Sequence, residues 1–436
     1  MQKITSCHVM AKPSGSVCNI DCKYCFYLEK DKLYPERQQN WRMTDETLEL
    51  FIQQHIEAQQ GEFVDFAWQG GEPTLLGLEF YQKVVALCDK YGEGKSIRHA
   101  FQTNGLQIND DWCRFFKQHN FLIGVSIDGP EDLHDHYRVT RSKRGTHSKV
   151  MAAITLLNKH AVEFNTLTVI NAKNVHEPLR VYQFLKDIGS TYIQFIPLVE
   201  REVSRSEESL TLAKPGDTFS PVTPWSVNPK AYAKFLNTIF DYWVRHDVGQ
   251  TFVQSFDSML ASWLGEPAGI CVFSPRCGHA FALEANGDLY QCDHYVYPEY
   301  KLGNIHDSTI FAMNNSPAAI QFGKDKYETL NQKCLSCRYR FACNGGCPKH
   351  RFELGSNGKP DRNYLCHAYY EHFKHTEKSM TAMAHLLRQG RPASDIMRYF
   401  RQRTDTKPEA ERRSIGRNSE CPCGSGKKYK RCCARH

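Results

Sequence analysis

The sequence predicts an α/β protein: a parallel sheet of about six β-α units curled into a partial barrel, then a small cysteine-rich domain, then a short basic tail. Three observations predict it. Short apolar runs alternate with amphipathic helical segments as far as Pro197, the pattern of a parallel sheet covered by helices. Eight cysteines crowd between Cys271 and Cys366, where few long periodic segments occur, so metal rather than a large apolar core organises that stretch. A last cysteine group, Cys421 to Cys433, follows a polar linker that begins near Arg391.

The elements follow in order. The first strand is His8 to Ala11. A helix from about Thr44 to Gln60 takes Thr44 as its N-cap, with Asp45 and Glu46 in the first turn. Leu48, Phe51, Ile52 and Ile56 recur at helical spacing, and Gly61 ends it. Val64 to Trp68 is the second strand, followed by a helix around Phe80 to Tyr91. His99 to Thr103 precedes a helix at Trp112 to His119, and Leu122 to Ser126 precedes one at Val150 to His160. Phe164 to Val169, a helix at Leu179 to Ile188 and Tyr192 to Pro197 complete the series. Val199 to Asn228 has no clear period and is expected to be a long connector. Helices at about Lys230 to His246 and Tyr369 to Leu387 flank the cysteine-rich stretch.

Composition narrows the class. With 436 residues the chain allows two or three domains, and 41% hydrophobic residues is too apolar for a disordered chain. No apolar run has membrane-span length, and Met1 to Lys12 lacks the apolar core of a signal peptide, so a cytoplasmic protein with no membrane span is expected. In that compartment 18 cysteines imply metal or catalysis rather than disulfides. Of the formal net charge of +7, the tail from Arg391 to His436 accounts for all, with 13 Lys and Arg against 5 Asp and Glu. The body is near neutral, and no nucleic acid partner is expected.

Cys18, Cys22 and Cys25 have the spacing C-x3-C-x2-C, with Tyr24 before the last cysteine. Three thiolates can hold three irons of a cubane cluster and leave the fourth open, as catalysis requires. A zinc knuckle lacking its fourth ligand is the other reading. One β-α unit later stands Trp68-Gln69-Gly70-Gly71-Glu72-Pro73, whose glycines allow close backbone approach and whose Glu72 can receive an ammonium group. Thr103-Asn104-Gly105 and Ser126-Ile127-Asp128-Gly129-Pro130 end the next two strands, and Arg138 follows. Each could be turn chemistry alone; their shared place at strand C-terminal ends is the stronger signal. In the second set, Cys271, Cys277 and Cys292 are followed by Cys334, Cys337, Cys343, Cys347 and Cys366. Eight thiolates fit two four-cysteine sites, either iron–sulfur or zinc.

The first cysteine motif and the Gly-Gly-Glu-Pro loop resemble the radical S-adenosylmethionine (radical SAM) superfamily. That resemblance implies a radical SAM barrel, a [4Fe-4S] cluster on Cys18, Cys22 and Cys25, and SAM held by Gln69, Gly70, Gly71, Glu72, Asn104, Ser126 and Arg138, with Tyr24 and Leu198 near the adenine. The second set resembles the SPASM domain of peptide-modifying radical SAM enzymes. The resemblance implies two interleaved auxiliary [4Fe-4S] clusters, one on Cys271, Cys277, Cys292 and Cys347, the other on Cys334, Cys337, Cys343 and Cys366, for three clusters in all.

Asp293 directly follows Cys292. A lone Asp there ordinarily caps a turn. In this context the sequence is similar to the anaerobic sulfatase-maturating enzymes, whose proton-accepting Asp follows this cysteine. The resemblance, from about Ser6 to Tyr370, implies oxidation of a Cys or Ser of a sulfatase polypeptide to Cα-formylglycine, with Asp293 catalytic. It implies an electron donor such as flavodoxin or ferredoxin. A SPASM enzyme forming a thioether or other crosslink in a ribosomal peptide is the alternative, and a zinc-rich adaptor without chemistry is a third reading. Cys421, Cys423, Cys432 and Cys433 supply four thiolates for a closed zinc site and resemble the SEC-C motif. The expected domains are 1–230 (radical SAM core), 231–390 (SPASM with flanking helices), 391–418 (basic linker) and 419–436 (zinc motif). Cys7, Cys88 and Cys113 are left over and are assigned no chemistry.

Overall fold

The computed structural model describes residues 4, 6–27, 30, 41–205, 210–217, 220–355, 357–405, 416–421 and 425–435. The expected β-α alternation is present: β1 (His8–Lys12), α1 (Asp45–Glu57), β2 (Phe63–Trp68), α2 (Leu78–Tyr91), β3 (Ser96–Thr103), α3 (Asp110–Gln118), β4 (Leu122–Ser126), α4 (His147–Lys159), β5 (Phe164–Ile170), α5 (Pro178–Asp187) and β6 (Tyr192–Pro197). Local chemistry fixes the helix starts. Thr44 accepts from Thr47 N at 3.1 Å to cap α1, and Asn109 accepts from Trp112 N at 3.0 Å to cap α3. In β2, Val64, Phe66 and Trp68 are buried while Phe63 and Asp65 face out, the period-2 pattern of one covered face.

The sheet is larger than the six expected strands. Its order is β12-β11-β10-β1-β2-β3-β4-β5-β6-β9, with β9 (Phe252–Val253), β10 (Ala280–Glu284), β11 (Asp288–Tyr290) and β12 (Lys301–Asn304) contributed by later sequence. All pairs from β10 to β9 are parallel, and β11 and β12 add antiparallel at one edge. β10, which ends at Glu284, is hydrogen-bonded to β1, with Lys12 beside Glu284, and β11 then runs back antiparallel to β10 before the chain reaches Cys292.

The stretch Val199 to Asn228 is not wholly irregular: it contains a hairpin of β7 (Glu202–Arg205) and β8 (Leu210–Leu212). Strands this short leave no period to detect. Further helices interrupt the later sequence, among them α7 (Gln254–Leu264) and α8 (Pro317–Glu328). In α7, Phe256, Met259, Leu260 and Trp263 do recur at helical spacing, and the last two are only partly buried. Between β7 and α7 lies α6 (Pro229–His246), capped by Asn228, and it packs against the long α9 (Cys366–Arg388). One apolar core runs through both regions, from Val9 and Phe66 to Phe273 and Phe373. Cys7, Cys88 and Cys113 are buried in it, where burial pushes their thiols up, to about 11 for Cys7. Among the described residues, no helix is long and apolar enough to cross a membrane.

Candidate active site

The loop after β1 carries the first three cysteines. Its backbone is pinned to the segment after β4: Asp21 N donates to Val139 O at 2.8 Å and Lys23 N to Tyr137 O at 3.0 Å. Arg141 Nη2 donates to Cys18 O at 2.9 Å. Cys25 N bonds Cys22 O at 3.0 Å, closing a turn between two of the thiols. Burial pushes the Cys18 thiol up to about 12, and the nearby Glu72 and Cys25 charges push the same way. Cys22 is raised too; there the Arg138 guanidinium pulls back while Cys25 and Cys18 push up. The Arg138 charge thus lies within electrostatic reach of both Cys18 and Cys22.

The glycine loop shows why its residues are small. An added Cβ on Gly71 would lie 2.2 Å from Val17 O, and Gly71 N donates to Gly15 O at 2.7 Å. The close approach demanded here is to the cysteine loop itself. The Glu72 side chain is fully buried; Oε1 accepts from Thr74 N (3.0 Å), Thr74 Oγ1 (2.6 Å) and Thr103 Oγ1 (2.8 Å), and Oε2 from Asn104 N (2.8 Å). That carboxylate straps the ends of β2 and β3 together. Asn104 Nδ2 in turn donates to Asn19 Oδ1 at 2.7 Å and stands 3.7 Å from Cys18 Sγ. Gln69 Nε2 donates to Gln102 Oε1 at 2.7 Å. Gly70 adopts φ +141°, against Ser14 and Gly15.

Ser126 closes β4 in a buried position. Beyond it, Asp128 was not singled out by the sequence, yet it accepts from Tyr24 Oη at 2.6 Å and from Val169 N at 3.1 Å. Arg138 Nη1 donates to Tyr24 Oη at 3.0 Å, and Arg138 Nε is buried without a hydrogen-bond partner. Tyr24, Tyr137 and Leu198 pack together against Cys22, Val169 and Trp225. An apolar wall beside an unsatisfied guanidinium fits a ligand with an aromatic base and an anionic or hydroxylated group. This is the donor set that SAM would use.

Burial raises the thiols of most of the later cysteines, and neighbouring cysteines add to the effect. Cys277, Cys292 and Cys347 each have thiols raised first by burial and then by members of the set Cys271, Cys277, Cys292 and Cys347. Cys334, Cys343 and Cys366 behave likewise within the set Cys334, Cys337, Cys343 and Cys366. In the first set Lys326 is buried and donates to Cys271 O (2.6 Å) and Val272 O (3.0 Å). The second set lines a cavity of about 850 Å³ with Asn363, Tyr370 and Phe373.

Asp293 directly follows Cys292. It opens a one-turn 3-10 helix, Asp293–Tyr295, and Oδ1 lies 2.5 Å from Lys12 Nζ. Burial pushes its carboxyl up, but the Lys12 ammonium and the His294 charge more than offset this and hold it below the usual range. Lys12, at the end of β1, escaped the sequence reading; a lysine closing an apolar strand was the available signal. In the tail, Cys421, Cys432 and Cys433 place their sulfurs within 4.8 Å of one another. Cys423 lies outside the described residues.

Three thiols in the loop that leaves the first strand of a parallel sheet, and eight more in the later sequence, define an iron–sulfur enzyme of the radical SAM class with a second cluster-binding region. Family comparison agrees: residues 13–185 match the radical SAM superfamily, 271–338 the SPASM iron-sulfur cluster-binding domain and 417–435 the SEC-C motif. The chain belongs to the anaerobic sulfatase-maturating enzymes. It is 46% identical to a serine-type anaerobic sulfatase-maturating enzyme of Bacteroides thetaiotaomicron, across 90% of this chain and 95% of the relative. It is 34% identical to a cysteine-type enzyme of Clostridium novyi, across 88% and 98%. The structure superposes on that of anSMEcpe with bound AdoMet and a peptide, with a TM-score of 0.76 at 30% identity over 87% of this chain and 99% of that one. SuiB of Streptococcus suis, 12% identical, shares the fold with a TM-score of 0.55. The protein is thus a radical SAM oxidoreductase that uses SAM and iron–sulfur clusters, and the crosslinking alternative is not favoured.

Proposed function

We propose that this chain oxidises a specific Cys or Ser of a sulfatase polypeptide to Cα-formylglycine under anaerobic conditions, activating the sulfatase. The observation that carries this reading is the position of Asp293, immediately after Cys292 and ion-paired to Lys12 at the end of β1. A carboxylate there directly follows a cysteine of the second set and is tied to the strand that leads into the loop of the first three cysteines.

Cys18, Cys22 and Cys25 hold the SAM-binding cluster. Gln69, Gly70, Gly71, Glu72, Asn104, Ser126 and Arg138 make the SAM pocket, with Tyr24 and Leu198 as its apolar wall. Cys271, Cys277, Cys292 and Cys347 hold one auxiliary [4Fe-4S] cluster; Cys334, Cys337, Cys343 and Cys366 hold the other. When bound, SAM with its cluster supplies the acceptor for a Cβ hydrogen atom, and the auxiliary clusters supply an acceptor for one electron. Asp293 receives the proton of the substrate thiol or hydroxyl, a transfer that needs a positioned, ionised base. A serine gives the aldehyde directly, and a cysteine gives a thioaldehyde that water converts to it.

Cys421, Cys423, Cys432 and Cys433 bind zinc, supported by the proximity of three of these sulfurs. A flavodoxin or ferredoxin is the electron donor, and the enzyme works in the cytoplasm. The domains divide at 1–230, 231–390, 391–418 and 419–436. Mass spectrometry of a sulfatase peptide co-expressed anaerobically tests the reading: the target residue is expected as the aldehyde, and an unmodified or crosslinked peptide would overturn it.

A further inference from the structure

The end of β1 carries a buried cation. Lys12 is 1% exposed. Its ammonium lies 2.5 Å from Asp293 Oδ1, 3.2 Å from Gln69 Oε1 and 4.0 Å from the centre of the Tyr27 ring. The Tyr27 hydroxyl donates to Glu284, the residue beside Lys12 in the sheet register. A buried ammonium costs several kcal/mol unless it is paired, so such a residue is retained where its charge is used.

The two partners are held unequally. β1 is paired on both sides, to β10 and to β2, so the backbone that carries the lysine is held inside the sheet. Asp293 stands on a single turn of 3-10 helix, and its side chain remains 19% exposed against 2% for Lys12. The fixed member is the cation, and the carboxylate that must meet substrate leans on it.

We propose that Lys12 is a positioning residue for the oxidation: its ammonium clamps one oxygen of Asp293 and so aims the carboxylate at the proton it removes. This rests on the reading of Asp293 as the proton acceptor. Gln69, bonded to Lys12 and to Gln102, extends the clamp along the ends of β2 and β3. If the carboxylate drifts, hydrogen removal from Cβ continues to consume SAM, while proton removal from the same residue lags. Turnovers then end without product.

The test counts 5′-deoxyadenosine and formylglycine in the same reaction of full-length holoenzyme with SAM and a sulfatase peptide. Lys12→Met is expected to raise the ratio of the two at least ~10-fold, the scale for a displaced catalytic group, with iron content and peptide KM unchanged. Lys12→Arg, which keeps the cation, returns most of the coupling. Combining Lys12→Met with Asp293→Asn is expected to raise the ratio no further than Asp293→Asn alone, because both act through one carboxylate. A wild-type ratio in Lys12→Met beside a raised one in Asp293→Asn would sink the inference and leave the proton-acceptor reading standing. A wild-type ratio in Asp293→Asn would remove that reading and the inference with it. Should Lys12→Met fail to retain iron, Lys12→Gln, which keeps a donor but no charge, is scored on the same ratio.

Discussion

Tyr24 donates its hydroxyl to Asp128 Oδ2 at 2.6 Å and accepts from Arg138 Nη1 at 3.0 Å. One residue of the cysteine loop thus sits between an acid beyond β4 and a cation ten residues further along. All three side chains are buried. Burial pushes the Asp128 carboxyl up, and the Arg138 charge and the Tyr24 bond pull it back. The triad ties the first cysteine group to the wall where SAM is proposed to bind.

Tyr24→Phe removes the bridging hydroxyl and leaves both charged partners short of a hydrogen bond. The expected cost is ~1–3 kcal/mol of stability, the range for buried bonds to charged groups. SAM affinity should fall about tenfold, because Arg138 loses the contact that orients it. Thermal melting and anaerobic equilibrium binding measure the two effects. An unchanged Kd would mean that Arg138 keeps its place without Tyr24.

Gly71→Ala places a methyl 2.2 Å from Val17 O and 2.4 Å from Ser16 O. Both are backbone atoms of the loop leading to Cys18, so the loop itself must move. The expected result is loss of about 4 of roughly 12 irons per chain, with both auxiliary clusters retained. Iron analysis with electron paramagnetic resonance of the reduced protein separates this from general unfolding, which would empty all three sites.

The wild-type chain is expected to hold about 12 iron and one zinc atom, from three cubane clusters and one closed four-thiolate site. Truncation before Arg391 should remove the zinc and none of the iron. Near 4 iron with several zinc would make the Cys271 to Cys366 region structural and would leave Asp293 without a neighbouring electron acceptor.

The β-α alternation was legible because each unit carries its own period and its own cap: Thr44 heads α1 as its sequence implies. The cysteine positions were legible for a similar reason, since thiols at fixed spacings have few other uses in a reducing compartment. What sequence could not reveal is pairing between distant segments. β10 joins β1 only in the folded sheet, and that register sets Glu284 beside Lys12 and brings Asp293 to its ammonium. Lys12 escaped notice because its partner Asp293 is distant in sequence, and Asp128 could be read only as part of a strand-end turn because its partners Tyr24 and Val169 come from other elements. The hydrogen bonds that hold Glu72 were hidden for the same cause: its donors come partly from β3 and the residue after it, later in the chain.

Asp293→Asn keeps the size of the side chain and removes the proton acceptor. Hydrogen-atom removal from Cβ needs no base, but completing the two-electron oxidation does. Formylglycine formation is therefore expected to fall at least ~10²-fold, the usual scale for losing a general base, while SAM cleavage in the presence of substrate continues. The other candidates are poorly placed to substitute. The Tyr24 hydroxyl is spent on Asp128 and Arg138, and His294 faces Cys347, with its Nδ1 3.9 Å from Sγ. The substitution also leaves the Lys12 ammonium buried without its counter-charge, so a lower melting temperature is expected alongside the kinetic defect. The two effects separate by experiment: a folding defect depresses SAM cleavage and aldehyde together, whereas loss of the base depresses the aldehyde alone. Product at near wild-type rate, measured by mass spectrometry against 5′-deoxyadenosine in the same sample, would place the proton acceptor elsewhere.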